Sequence, residues 1–124
     1  MRAIFRRLLT QARRRVPALA VTLHTGGARE FPAARDFAYC KLDGKQITVV
    51  VAPRMARQAR SRIEGVLRHE LAHAVFFALG EPRHSEREAD QLAAALFGGL
   101  IRYDRDDVQT TGVGRHPRPA HLRP

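Results

Sequence analysis

Apolar residues Ile4, Phe5, Leu8, Leu9, Ala12 and Val16 recur at helical spacing along the first part of the chain. They form one apolar stripe, the pattern of a helix that packs one face on a core. Most Arg residues of residues 1–16 lie opposite it, and Pro17 ends the pattern. The period then changes to two. Residues 18–24 alternate, with Leu19, Val21 and Leu23 on one side, as in a half-buried strand. Gly26 and Gly27 break it. Residues 37–42 and 46–52 read as two further strands around Asp43-Gly44, a strong hairpin signal. Ile47, Val49 and Val51 face one way; Thr48, Val50 and Ala52 face the other.

Pro53 switches the chain to helix. Ser61 and Glu64 fit a capping box, so a second helix is expected over residues 62–79, with Gly80 as its stop. Leu67, Leu71, Val75, Phe76, Phe77 and Leu79 make it apolar nearly all round, the mark of a buried central helix. Ser85 and Glu88 form a second box, opening a third helix from Glu86 to about Phe97, closed by Gly98-Gly99. From Arg102 the chain is polar and rich in Gly and Pro. The expected fold is α+β: an N-terminal helix, a small three-stranded, mostly antiparallel sheet, the buried helix, a further helix and an irregular tail. Residues 1–101 form a single domain and residues 102–124 the tail.

Composition narrows the chemistry. A chain of 124 residues is one domain's worth. Hydrophobic residues make up 44% and charged residues 27%, a globular balance that excludes wholesale disorder. No apolar run reaches about 18 residues, so no transmembrane segment is expected. The single cysteine, Cys40, excludes an intrachain disulfide and a Cys-rich zinc finger. Any metal site must therefore use His and carboxylates, and Cys40 reads as a small buried strand residue. The formal net charge is +10. That balance admits a nucleic acid, an anionic surface or an acidic partner without choosing among them. Charge interrupts the apolar stretch near the N-terminus, which excludes a secretory signal. The cytoplasm is the expected location. A basic amphipathic start also resembles an organelle transit peptide, but a core-packing helix with a solvated outer face is the simpler reading.

The buried helix contains His69-Glu70-Leu71-Ala72-His73, an HExxH motif. Histidines at i and i+4 project from one helical face and can share one tetrahedral zinc ion. Glu70, one step around, is placed to take the proton of a water that the metal acidifies. The bland alternative is a pair of satisfied core histidines beside a surface Glu. Yet three polar groups interrupting an apolar helix on one side are costly to bury without a shared partner. A catalytic zinc ion takes a third protein ligand, and His84, Glu86 and Glu88 lie next along the chain. On the third helix Glu86 aligns with Ala89, Asp90, Ala93, Phe97 and Leu100, whereas Glu88 lies with Arg87, Gln91 and Ala95. Glu88 is better explained as the partner of Ser85. Glu86 is thus favoured as third ligand, with His84 as the alternative. Asp90 is placed to hydrogen-bond the free N–H of a ligand histidine.

The HELAH stretch followed by Glu86-Arg87-Glu88-Ala89-Asp90 resembles the gluzincin metallopeptidases, the thermolysin-like clan. There the HExxH helix is followed by a glutamate helix of pattern E-x-x-A/S-D/N. Size and element order resemble the minigluzincins, soluble single-domain forms, over about residues 2–100. Residues 86–97 are also similar to the ImmA–IrrE regulatory peptidases, which cleave repressors and normally continue into a longer chain. The SprT-like, DNA-associated metallopeptidases share the basic charge but use a third His, and the residues after His84 differ from theirs.

The resemblance implies a zinc-dependent peptidase acting on a peptide or protein substrate. His69, His73 and Glu86 are its metal ligands, Glu70 its general base and Asp90 the residue behind a ligand. It implies a substrate strand laid antiparallel to a rim strand, with residues 46–52 or 37–42 as the candidates. It also implies a latent form with a C-terminal segment over the cleft, where His116 or His121 would cap the zinc; exposed tail histidines are the plainer reading. Thermolysin-like enzymes place a Tyr or His at the developing oxyanion. Tyr103 is the only Tyr beyond the glutamate helix. Val66, Phe76 and Phe77 are expected to line an apolar cleft, and His24, at a strand end, to be structural. The competing reading from another class is a zinc-stabilised basic module that binds nucleic acid or a regulatory protein without peptidase activity.

Overall fold

The computed structural model describes residues 1–98. Its elements in chain order are α1 Arg2–Arg13, β1 Val21–Thr25, β2 Ala38–Asp43, β3 Gln46–Val51, α2 Arg60–Ala78 and α3 Glu86–Phe97. Helices α1 and α2 pack on one face of the three-stranded sheet, and α3 packs on α2 and α1. The α+β class and the element order are those expected from the sequence. The domain limit at residue 101 and the tail, residues 102–124, lie outside the described residues.

The apolar stripe of α1 is inward, with Ile4, Phe5, Leu8 and Ala12 buried. The α-helix ends at Arg13 rather than at residue 16. A turn at Arg14 and Arg15 comes first, both Arg15 and Val16 donating to the Ala12 carbonyl. Leu19 and Val21 are buried as their alternation implies, but regular pairing begins only at Val21 and extends to Thr25. His24 is paired within β1, opposite Val50.

The sheet order is β1-β3-β2, and the sheet is mixed. The hairpin makes β2 and β3 antiparallel, with Asp43 opposite Gln46 across the Gly44-Lys45 turn. Gly44 has φ of 64°, the left-handed value that a two-residue hairpin loop demands and that glycine adopts without strain. The return of the hairpin inserts β3 between its partner and β1, so β1 meets a strand running its own way. Residues 46–52, one candidate for a rim strand, are therefore the centre of the sheet. Their burial agrees: Ile47, Val49, Val50 and Val51 are all buried, as suits a strand covered on both faces. The rim is formed by β1 and β2.

Ala38, Cys40, Ile47, Val49 and Val51 face the helices in the main core; Tyr39, Val50 and Ala52 join Phe31 in a small cluster on the other face. Tyr39 there donates its hydroxyl to Glu30 at 2.6 Å, and the Gly27 N–H donates to the same carboxylate at 2.9 Å. These bonds draw Glu30 close over the strands. A Cβ at Gly26 would lie 2.8 Å from its carboxylate and 2.9 Å from Val50.

The start of α2 departs from expectation. The helix begins at Arg60 after Ala59, which is extended, and no side chain caps it. Ser61 lies inside the first turn. Glu64 is turned instead toward α1, accepting from Arg7 at 2.7 Å as well as from Arg60 and Arg68 on its own helix. A tertiary ion pair displaces the local box. The other box forms as expected: the Glu88 N–H donates to Ser85 Oγ and the Ser85 N–H to the Glu88 carboxylate. Along α2 twelve of the nineteen residues are buried, among them Leu67, Leu71 and both histidines of the motif, so the helix is the axis of the core. Gly80 stops it with φ of 79°. The Gly80 N–H donates to the Phe77 carbonyl and the Glu81 N–H to that of Phe76, the two bonds of a Schellman stop. Among the described residues no helix is long and apolar enough to cross a membrane.

Candidate metal centre

The residues that could hold a metal come from two helices. His69 and His73 stand one turn apart on α2, and α3 packs across that turn with Glu86 in its first turn. The local cause is sequence. Gly80 ends one helix, Ser85 caps the next, and the short link brings the N-terminus of α3 back over the motif. The inward face of α3 is the expected one: Ala89, Ala93 and Phe97 are buried, with Leu96 beside them. Leu100 lies outside the described residues.

Three donor atoms converge. His69 Nε2 is 2.8 Å from Glu86 Oε1, His73 Nε2 is 3.2 Å from the same oxygen, and the two Nε2 atoms are 3.1 Å apart. Four donors about 2.0–2.1 Å from one tetrahedral ion lie about 3.3 Å from each other. The observed triangle is nearly that face, slightly contracted. Two imidazole nitrogens and a carboxylate oxygen are also a donor set suited to zinc. The residues present therefore fit a metal ion.

Each histidine of the triangle is held from behind. His69 Nδ1 lies 2.9 Å from Asp90 Oδ1, the contact expected of Asp90. His73 Nδ1 lies 2.6 Å from His84 Nε2. His84, the alternative third ligand, lies outside the triangle of converging atoms. Its Nε2 meets the outer side of the His73 ring, away from the atoms that converge, and Glu86 completes the group that could hold a metal ion. Sequence spacing left His84 as the alternative to Glu86 because the direction of a loop side chain is not set by any helical period.

The electrostatics follow from burial and contact. Burial opposes charge on His69, but its hydrogen bonds to Asp90 and Glu86 outweigh it and push the pKa up to about 10. Burial drives His73 the other way, to about 4; Glu86 partly offsets this, while the His69 charge adds to it. Burial would raise the Glu86 carboxyl, yet the bonds from His69 and His73 hold it well below the ordinary carboxylate range. Without metal, His69 is thus held in its charged form by the Asp90 and Glu86 carboxylates.

Glu70, on α2, is fully buried. Its charge raises the pKa of His69, and it also acts on Cys40 of β2, whose thiol is pushed up by burial first and by Glu70 second. Glu70 is thus within electrostatic reach of both His69 and Cys40 of the rim strand β2. Cys40 is buried, as read from the sequence. The apolar residues divide differently from expectation. Val66 and Phe77 are core residues, and only Phe76 is half-buried, its ring stacked 4.4 Å from that of His84. Tyr103, His116 and His121 lie outside the described residues.

The fold and site together define an α+β domain with a candidate His/His/Glu metal centre on two core helices. No known protein family, curated protein or solved structure gives a significant match to the chain.

Proposed function

We propose that the chain is a zinc-dependent metallopeptidase in which His69, His73 and Glu86 hold the ion and Glu70 is the general base. The observation that carries this reading is the triangle of donor atoms, 2.8–3.2 Å on a side, with a buried glutamate beside it on the same helix. Bound zinc supplies a Lewis acid that acidifies water and polarises a carbonyl. Glu70 takes the proton of the attacking water and returns it to the leaving amine. Asp90 accepts from His69 Nδ1–H and so leaves the Nε2 lone pair for the ion. As a rim strand packed against α2, β2 offers its outer edge to an extended peptide, whose main chain would add to the sheet beside Glu70.

The test pairs metal analysis with cleavage of an unfolded protein substrate. The wild type should carry about one zinc ion per chain. Glu86→Ala should lose it. Glu70→Gln should keep the metal and the fold while cleavage falls by roughly 10²–10⁴-fold, the usual weight of a general base. Metal retained and cleavage unchanged in Glu70→Gln refutes the mechanism. Metal bound with no cleavage by the wild type favours the zinc-stabilised binding module.

A further inference from the structure

We propose that His84 is a positioning residue for the metal centre, fixing the tautomer and the orientation of His73. The inference rests on the reading of His69, His73 and Glu86 as ligands. It follows from counting protons along a chain of contacts. His84 Nδ1 lies 2.9 Å from the Glu81 carbonyl oxygen. A carbonyl only accepts, so His84 Nδ1 carries the hydrogen. A neutral His84 then presents a lone pair at Nε2. That atom is 2.6 Å from His73 Nδ1, which must donate into it. With its proton on Nδ1, His73 keeps the lone pair on Nε2, the atom that faces His69 Nε2 and Glu86 Oε1. The opposite tautomer of His73 would bring two lone pairs together at Nδ1 and a proton to the ligand position.

Both ends of the relay are fixed. The Glu81 carbonyl follows directly on the Schellman stop, where the Glu81 N–H is tied to Phe76 at 2.8 Å. The His84 ring stacks on Phe76 with planes 18° apart and meets Phe77 edge-on at 5.5 Å. These two faces restrict rotation of the imidazole, so its Nε2 stays aimed at His73. The two ligands thus have unlike supports: a carboxylate behind His69, and a neutral ring that passes on the polarity of a peptide carbonyl behind His73. Partners of this kind orient the ligand ring and set its tautomer.

The experiment uses the full chain stripped of metal. Zinc affinity is measured by competition with a chromogenic chelator for the wild type, His84→Ala and His84→Gln, and imidazole tautomers are read from long-range proton–nitrogen NMR spectra. Zinc should bind His84→Ala about 10- to 100-fold more weakly, and the Gln carbonyl, able to accept from His73 Nδ1–H, should restore most of the loss. The metal-free wild type should show His73 protonated at Nδ1, and His84→Ala should show mixed tautomers. Thermal melts of the metal-free variants separate a binding defect from unfolding. His73 protonated at Nε2 in the wild type overturns the proposal, as does an affinity for His84→Ala within about twofold of wild type. Zinc lost as completely in His84→Ala as in Glu86→Ala makes His84 a ligand and also overturns it. Zinc taken up normally with the tautomer indifferent to His84 removes this inference alone; no zinc uptake by the wild type removes the metal reading as well.

Discussion

Zinc added to the metal-free protein should displace one proton per ion, and the number should not change between about pH 5.5 and about pH 6.5. The reason is the split between the two histidines. His69, raised to about 10, is fully protonated in that window and must lose its proton to bind. His73, lowered to about 4, is already neutral and loses none. Glu86, held low by the same contacts, is already ionised. Two ordinary imidazoles with pKa near 6.5 would behave differently, releasing about 1.8 protons at the lower pH and about 1.0 at the higher. Titration calorimetry in buffers of different ionisation enthalpy measures the count, as the slope of observed enthalpy against buffer enthalpy. One displaced proton also makes zinc affinity rise about tenfold, or about 1.4 kcal/mol, per pH unit. Asp90→Asn removes the carboxylate that favours the charged form of His69, so the count should fall below one while zinc binding weakens by about 10- to 100-fold. A count that falls steeply across the window refutes the assignment of one charged and one neutral histidine. The metal-free fold carries the same signature. A raised pKa stabilises fully below the unfolded value of 6.5 and is lost as pH rises toward about 10, so metal-free melting temperatures should decline over that range and zinc should reverse the decline.

Two further outcomes test the frame around the site. Leu67→Ala, at a fully buried position on α2, should cost about 2–5 kcal/mol of stability in urea unfolding; a loss below about 1 kcal/mol would show that α2 is not the axis of the core. Tyr39→Phe removes the hydroxyl that donates to Glu30 and holds its carboxyl below 4.5, costing about 1 kcal/mol near neutral pH because the pair is partly solvated. A lowered pKa stabilises above the unfolded value and loses that effect as pH falls through the folded one, so the two proteins should converge in acid; a gap that persists there would refute the assignment.

Much of this arrangement was legible in the chain. Helical spacing gave the buried stripe of α1 and the all-round apolarity of α2. The box at Ser85 and Glu88 and the stop at Gly80 marked ends that are observed, because both depend on groups a few residues apart. The spacing of His69 and His73 put two imidazoles on one face, and the face shared by Glu86, Ala89, Asp90 and Ala93 pointed to both carboxylates that reach the histidines. The box at Ser61 and Glu64 had the same local credentials and did not form, since Arg7, distant in sequence, competes for Glu64.

Local periodicity and capping thus set which segments are helix or strand and which faces turn inward, and they brought His69, His73 and Glu86 forward as one group. Other features arise only when the elements pack together. The parallel pairing of β1 with β3 depends on how the hairpin is inserted, although the run Val49-Val50-Val51 carried a hint of a strand covered on both faces. The opposite pKa shifts of two histidines in one motif depend on what stands behind each ring. The placement of His84 against His73 depends on a loop folding back onto α2. The physical reason is common to all three. These features are set by contacts between groups far apart along the chain or joined by a loop without a fixed period, and no local pattern records where such groups meet.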